Sequence, residues 1–341
     1  MNLLFLADRE RFWAHLAPVA SHARELGHHV HAAIPWSDAH GAGLVPVAHW
    51  LDASDVRVHW LSPGNRRQRL RALLTATPWH SILLCPEHLE PMRQVKPLVL
   101  ATRGPAPEVP PAGREAVRVP GTPSPPRPIV FAMQHGLAQQ FTPYTPDYCD
   151  HFLCWGELGR QVLNAPPPPD SGLFPRPVPI TVTGTAKFDS YRAADAEDHN
   201  FILAHAPHVY GQPSPVTYAW VQQMARDVNR AGYGRLDIRV KVHCNDADWN
   251  RMCVENRIPR NLFDWVRPDS HPRDALRTCT ALYLDYPSTA WVEAQCYDKP
   301  VILESEARRW LHNVPLQAAL AARHVDALDN ILTALSQETT P

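Results

Sequence analysis

The stretch Asn2-Leu3-Leu4-Phe5-Leu6 is followed by Phe12, Leu16, Val19 and Ala23 at spacings of three and four, then by Gly27 and the run His29-Val30-His31-Ala32-Ala33-Ile34. A short unbroken apolar run reads as a strand buried on both faces, and the three-and-four spacing over Arg9 to Leu26 reads as a helix with one apolar stripe. Gly27 is the expected helix stop. Strand, helix and strand in so short a span make the unit of a parallel sheet covered by helices.

The same beat continues outward. Val56 to Leu61 and Ser81 to Cys85 read as strands, with the basic amphipathic segment Arg66 to Leu74 as the helix between them. Nine prolines between Pro105 and Pro128, with Gly104, Gly113 and Gly121, form a Pro-rich connector over residues 104–128, and Pro166 to Pro169 form a second stiff stretch. Beyond the connector, Ile129 to Met133 ends in Gln134-His135-Gly136, His151 to Trp155 ends in Gly156-Glu157, and Val178 to Val182 ends in Gly184. A second series runs through Phe201 to Ala204, Asp237 to Val242, Ala281 to Asp285 and Pro300 to Leu303, with a helix expected from about Val314 to Ser336. The expectation is α/β, with two Rossmann-like doubly wound domains over residues 1–184 and 185–341.

Composition narrows the function classes. The 341 residues carry 33 Lys plus Arg against 34 Asp plus Glu, a net charge of −1, which offers no surplus for coating a nucleic-acid backbone. Seven dispersed Cys without a C-x-x-C pair argue for reduced thiols and a cytoplasmic location. Asp8-Arg9-Glu10-Arg11 interrupts the apolar start before a signal-peptide core develops, and no window approaches 18 apolar residues, so any membrane association would be peripheral. The clusters His28-His29-Val30-His31 and His205-Ala206-Pro207-His208 lack carboxylate or Cys partners at metal-ligand spacing, so neither metal nor cofactor is expected.

In open α/β sheets ligands sit beyond the carboxyl ends of the strands, which directs attention to the residues there. Asp285-Tyr286-Pro287-Ser288-Thr289 leads from a strand into a helix with two adjacent hydroxyls, an arrangement that either binds an anion or only caps the helix. Lys241 and His243, two apart at the end of another strand, can face one side and would suit a nucleotide diphosphate; a solvated strand end is the plainer alternative. His135 is delivered by a strand to a tight turn at Gly136, where it either accepts a proton from an attacking hydroxyl or is satisfied by a loop carbonyl. Asp8 and Glu157 are further carboxylates at strand ends, and helix capping is an adequate reading of Asp8.

Taken together, Gln134-His135-Gly136, Thr183-Gly184-Thr185-Ala186-Lys187-Phe188-Asp189 followed by Ile202 to Pro207, Lys241-Val242-His243-Cys244 and Asp285-Tyr286-Pro287-Ser288-Thr289 form an ordered set. In these motifs the chain resembles the GT-B glycosyltransferases of bacterial surface-polymer synthesis. Within them it is similar to the branch of CDP-glycerol glycerophosphotransferases and of CMP-Kdo-type capsule and lipopolysaccharide transferases. The motifs lie between residues 134 and 303, about half the chain, and Cys244 and Pro287 depart from the branch's usual proline and serine.

The resemblance implies two Rossmann-like domains facing across a cleft and a metal-independent transfer from a nucleotide-activated donor, CMP- or CDP-linked, to a hydroxyl of a glycan or lipid-linked acceptor. It implies a cytoplasmic enzyme at the inner face of the plasma membrane. Lys241, His243, Ser288 and Thr289 would surround the donor phosphates, with Lys187 and Gly136 near the donor and Glu293 on a ribose hydroxyl. His135 would act at the acceptor hydroxyl, with Asp8 and Glu157 as accompanying carboxylates. Alternatives on the same fold are polyol-phosphate transfer, nucleotide-sugar 2-epimerisation, and a binding protein without turnover.

Overall fold

A computed structural model describes residues 1–7, 10–36, 41–85, 95–101, 128–134, 149–164, 178–192, 201–205, 208–209, 212–213, 218–233, 237–241, 251, 254–257, 264–266, 272–285, 288–304 and 326–336. The chain divides into two compact units, one of Met1–Lys187 with Asp326–Pro341 and one of Phe188–Val325.

In the first unit β1 (Asn2–Leu6), α1 (Glu10–Glu25), β2 (His29–Pro35), α2 (Gly41–Ala53), β3 (Arg57–Leu61), α3 (Arg66–Ala76) and β4 (Ser81–Leu84) follow in turn. After them come α4 (Val95–Ala101), β5 (Ile129–Met133), β6 (His151–Cys154), α5 (Glu157–Asn164) and β7 (Ile180–Val182). The seven strands form one parallel sheet in the order β3-β2-β1-β4-β5-β6-β7.

Period-two alternation decides what each face holds. Leu3 and Phe5 point into a cluster with the stripe of α1, where Phe12, Leu16, Val19 and Ala23 are buried, whereas Leu4 and Leu6 join Leu70, Leu73, Leu98 and Val99 of α3 and α4. Each such side chain contributes roughly 1.5–3 kcal/mol by leaving water. Gly27 ends α1 at φ +82°, with Gly27 N–H donating to Arg24 O at 2.8 Å and His28 N–H to Ala23 O at 3.0 Å. That is the paired hydrogen bonding of a left-handed helix stop, and conformation alone demands the glycine, because a Cβ there would meet no atom within 4 Å.

The second unit opens on the short α6 (Asp189–Arg192), then β8 (Phe201–His205), the antiparallel pair β9 (His208–Val209) and β10 (Gln212–Pro213), α7 (Tyr218–Arg230), β11 (Asp237–Lys241) and β12 (Asp264–Val266). It continues with α8 (Pro272–Thr278), β13 (Ala281–Leu284), α9 (Thr289–Cys296) and β14 (Val301–Leu303). Its five-stranded parallel sheet has the order β12-β11-β8-β13-β14. Ile202, Ala204, Val240 and Tyr283 pack under Trp220, Met224 and Val228 of α7.

One expectation is corrected. Of the helix foreseen over residues 314–336, α10 (Ala327–Leu335) is present and 314–325 lie outside the described residues. This helix belongs to the first unit, not to the span 185–341 in which the sequence reading places it. Its Ile331, Leu332 and Leu335 enter the cluster around Leu3, Phe5 and Leu16, Ser81 Oγ donates to Leu335 O at 2.6 Å, and His22 Nε2 lies 3.1 Å from Asp329 Oδ1. An apolar stripe specifies burial, and the chain's return path chooses the sheet that supplies it.

Candidate functional site

Both sheets place their first and fourth strands side by side and run outward in opposite directions from that pair, which is the switch point where open α/β sheets bind ligands. In the second unit the pair is β8 and β13. The four residues of β13 are all fully buried, so the chain emerging at Asp285 leaves the sheet at a fixed place. Ser288 then adopts extended backbone (φ −127°, ψ 176°) and caps α9, its hydroxyl accepting from Ala290 N–H at 3.3 Å. The capping role foreseen as the plain alternative is thus realised, and it also fixes the first turn of α9, the end of a helix that favours negative charge. Thr289 opens that turn, and Glu293, four residues on and so on the same side of the helix, is 7% exposed.

Glu293 has aromatic company. Tyr191 of α6 is 2% exposed, its ring 5.7 Å from that of Tyr297 and 6.0 Å from that of Phe188. Burial first, and then the charge of Glu293, raise the Tyr191 hydroxyl far above the ordinary phenol range, so it stays protonated. The sequence reading did not single out Tyr191. Its signal was only an aromatic four residues beyond Lys187, and the packing of α6 on α9 gives it meaning. Lys241 ends β11 in register with His205 and Val266, while His243, Cys244, Tyr286 and Pro287 lie outside the described residues.

In the first unit the switch point lies between β1 and β4, whose next residues are Ala7 and Cys85, both fully buried. Asp8, His135 and Gly136 lie outside the described residues. Gln134, 2% exposed, accepts from Trp155 N–H through Oε1 at 2.9 Å, and its own carbonyl accepts from Trp155 Nε1 at 2.8 Å. Trp155 stacks on His15 of α1 at 5.5 Å and 20°, and His15 Nδ1 lies 3.0 Å from Thr185 Oγ1. These groups link the ends of β5, β6 and β7 to α1 before the chain leaves the unit through Thr183, Gly184 (φ +79°) and Thr185. His15 and Trp155 were missed as site residues. The legible signal for His15 is a polar side chain at the register of Phe12 and Val19, on the buried stripe of α1.

Glu157 has a different setting. It opens α5 on the surface, where Arg160 Nη2 donates to its Oε1 at 2.8 Å, and that hydrogen bond holds its carboxyl below the usual carboxylate range. A carboxylate so held is a weak proton acceptor near neutral pH and suits a helix N-terminus. Lys187, half-buried, closes the first unit where the chain passes to the second. Among the cysteines beside these strand ends, burial pushes Cys149 and Cys154 up to about 12, which makes them inert thiols. Among the described residues no group of three or more His, Cys, Asp or Glu could hold a metal ion.

Comparison with known proteins bears on the fold. No family model matches the chain. No curated protein matches it in sequence. Solved structures do match over nearly its whole length. A Listeria monocytogenes protein provisionally assigned as a UDP-N-acetylglucosamine 2-epimerase aligns with a TM-score of 0.57 at 12% identity, covering 98% of this chain and 95% of its own. Staphylococcus aureus MnaA, solved with UDP, aligns at 0.54 and 10% identity, covering 97% and 95% of the two chains. Anabaena HepE, solved with UDP and glucose, aligns at 0.53 and 10% identity, covering 99% and 100%. With two parallel Rossmann-like sheets of the same inner strand order, the chain has the GT-B fold.

Proposed function

We infer that the protein is a GT-B glycosyltransferase, moving a sugar from a nucleotide-activated donor to a hydroxyl of a glycan or lipid-linked acceptor without a metal. The observation that carries this reading is the strand-to-helix passage of the second unit, where Ser288, Thr289 and the buried Glu293 stand at the carboxyl end of a switch-point strand. A helix N-terminus compensates phosphate charge, and a buried carboxylate one turn further accepts from ribose hydroxyls. Lys241 and His243 are the proposed cationic and imidazole contacts to the phosphates, and Lys187 and Gly136 the further proposed donor-binding residues. His135, next in sequence after the Gln134 that Trp155 holds, would act at the acceptor hydroxyl, with Asp8 as an accompanying carboxylate. Glu157, paired with Arg160, would serve at most to orient that region.

Motif resemblance points to a cytidine nucleotide, through the set that includes Lys241, His243 and Ser288-Thr289. The similar Staphylococcus aureus and Anabaena proteins were solved with UDP. A thermal-shift titration with CMP, CDP, UDP, GDP and ADP in metal-free buffer separates the two. A nucleotide at about 100 times its Kd adds roughly 2.7 kcal/mol of apparent stability. A shift with one of these nucleotides, lost in Glu293→Gln or Thr289→Val, is the expected result. No shift with any of the five overturns the donor site.

A second reading, nucleotide-sugar 2-epimerisation, is favoured by the likeness to the Listeria monocytogenes protein provisionally assigned as a UDP-N-acetylglucosamine 2-epimerase. It predicts conversion of UDP-N-acetylglucosamine with no acceptor present, whereas a transferase leaves that donor unepimerised. A location at the membrane surface is part of the transferase reading. Among the described residues no helix is long and apolar enough to cross a membrane.

A further inference from the structure

At the outer edge of the first sheet, the carboxyl ends of β2 and β3 and the flank of α2 enclose a cleft of about 740 Å³. That volume lies within the range of about 300–1,000 Å³ usual for small-molecule sites. Its apolar walls are Trp36, Trp60 and Val58, and its polar groups are His49, Asp52 and Ser62. The residues arrive there for simple reasons. Alternation along β3 puts Val58 and Trp60 on the α2 side and Arg57 and His59 on the other, and His49 and Asp52, three apart, share one side of α2.

The two indoles meet edge to face, 5.4 Å apart at 73°, so they present two apolar planes nearly at right angles. The backbone that carries them is pinned on both sides. Trp36 N–H donates to Leu61 O at 2.9 Å, Arg66 Nη2 donates to Trp36 O at 2.7 Å, and Arg69 Nη1 donates to Trp60 O at 3.1 Å. The backbone that carries the two indoles is therefore fixed before any ligand arrives, which lowers the ordering cost of binding. His49 and Asp52 are exposed at the rim, where they meet solvent or a solute.

The chemistry selects the solute. An indole face takes the C–H side of a pyranose ring, and a carboxylate, an imidazole and a hydroxyl take its O–H groups. No Lys or Arg lines the cleft among the described residues, and Asp52 repels phosphate, so a nucleotide is a poor fit. An acyl chain would bury Asp52, His49 and Ser62 without hydrogen bonds. We propose that this cleft binds a neutral glycan, with a pyranose ring on the Trp36–Trp60 corner and its hydroxyls on Asp52. The proposal requires no nucleotide and stands apart from the donor reading.

The test titrates the full chain with maltotriose, cellotriose and N,N′-diacetylchitobiose, following tryptophan emission and, by calorimetry, stoichiometry. One of the three is expected to bind once per chain. Trp36→Ala should weaken it about tenfold or more, Trp36→Phe should restore most of the affinity, and Asp52→Asn should weaken it about threefold or more. Asp52 is exposed on a helix, so its variant reads binding even if Trp36→Ala loosens the edge strand. No response to any of the three sugars overturns the proposal, as does unchanged affinity in both Asp52→Asn and Trp36→Ala, or binding to phosphatidylcholine vesicles in place of the sugars. The UDP and CDP thermal shifts, run on the same samples, report failure of the donor reading separately.

Discussion

The first unit braces the exit of β5 with buried side chains, Gln134 on Trp155 and Trp155 on His15, whereas the second fixes the exit of β13 with a single hydroxyl, Ser288 on the first turn of α9. The strand order around the switch point is the same in both. The difference lies in what is being held. Under the proposed function, a strand end that presents a side chain for proton transfer gains from a fixed direction, and the amide and indole of Gln134 and Trp155 fix the end of β5. A helix start proposed to face an anion needs only its first turn fixed, which the Ser288 cap does. The shared topology thus supplies two switch points, and the residues that fix the chain differ at each.

Four experiments press on this contrast. The largest effect is expected from His135→Ala, which should lower transfer turnover by roughly 10²–10⁴-fold while leaving the nucleotide-induced thermal shift intact. Near-normal turnover would remove the proton-transfer role from the first unit. Next, Phe5→Ala opens a hole among Leu3, Leu16 and Ile331 and should cost about 3–5 kcal/mol in urea unfolding. If the two units unfold separately, only the transition of the first should move.

The third concerns pH. Burial, with the charges of His59, Arg57 and His29, holds His31 down to about 4, and its Nδ1 lies 2.8 Å from His59 Nε2. The unfolded chain takes up this proton near 6.5 and the folded one only near 4, so the stability tied to neutral His31 is complete above about 6.5 and falls as pH drops toward 4. Urea midpoints taken across that window should decline, and His31→Gln should flatten the decline. The smallest effect is expected from Ser288→Ala, about 1 kcal/mol lost from the second unit, with the α9 start loosened and nucleotide affinity reduced. An unchanged affinity in that variant would separate the cap from the donor site.

Much of the fold was legible because strand and helix periods are local. The stripe Phe12, Leu16, Val19 and Ala23 announced α1, Gly27 its end, and the apolar runs announced the strands to within a residue or two of where Cys85, Trp155 and Asp285 leave them. The site was legible only as places on strand ends. Ser288, Thr289 and Glu293 were visible because helix starts and hydroxyl pairs are written side by side. The link from His15 to Thr185 spans 170 positions and has no local signature. The same holds for the neighbourhood of Tyr191 and Glu293 and for the right-angled indoles of Trp36 and Trp60.

By itself, then, the sequence determined most of the alternation of strands and helices and the residues at those strand ends, since each depends on neighbours within a turn or two of chain, while β9, β10, β12, α2 and α4 were not foreseen. The tertiary structure decided which sheet received the last helix, α10, and which side chains met at the strand ends and at the edge cleft. Those outcomes depend on strand order and on burial shared between distant segments, and a local pattern records that a face must be covered without recording by what.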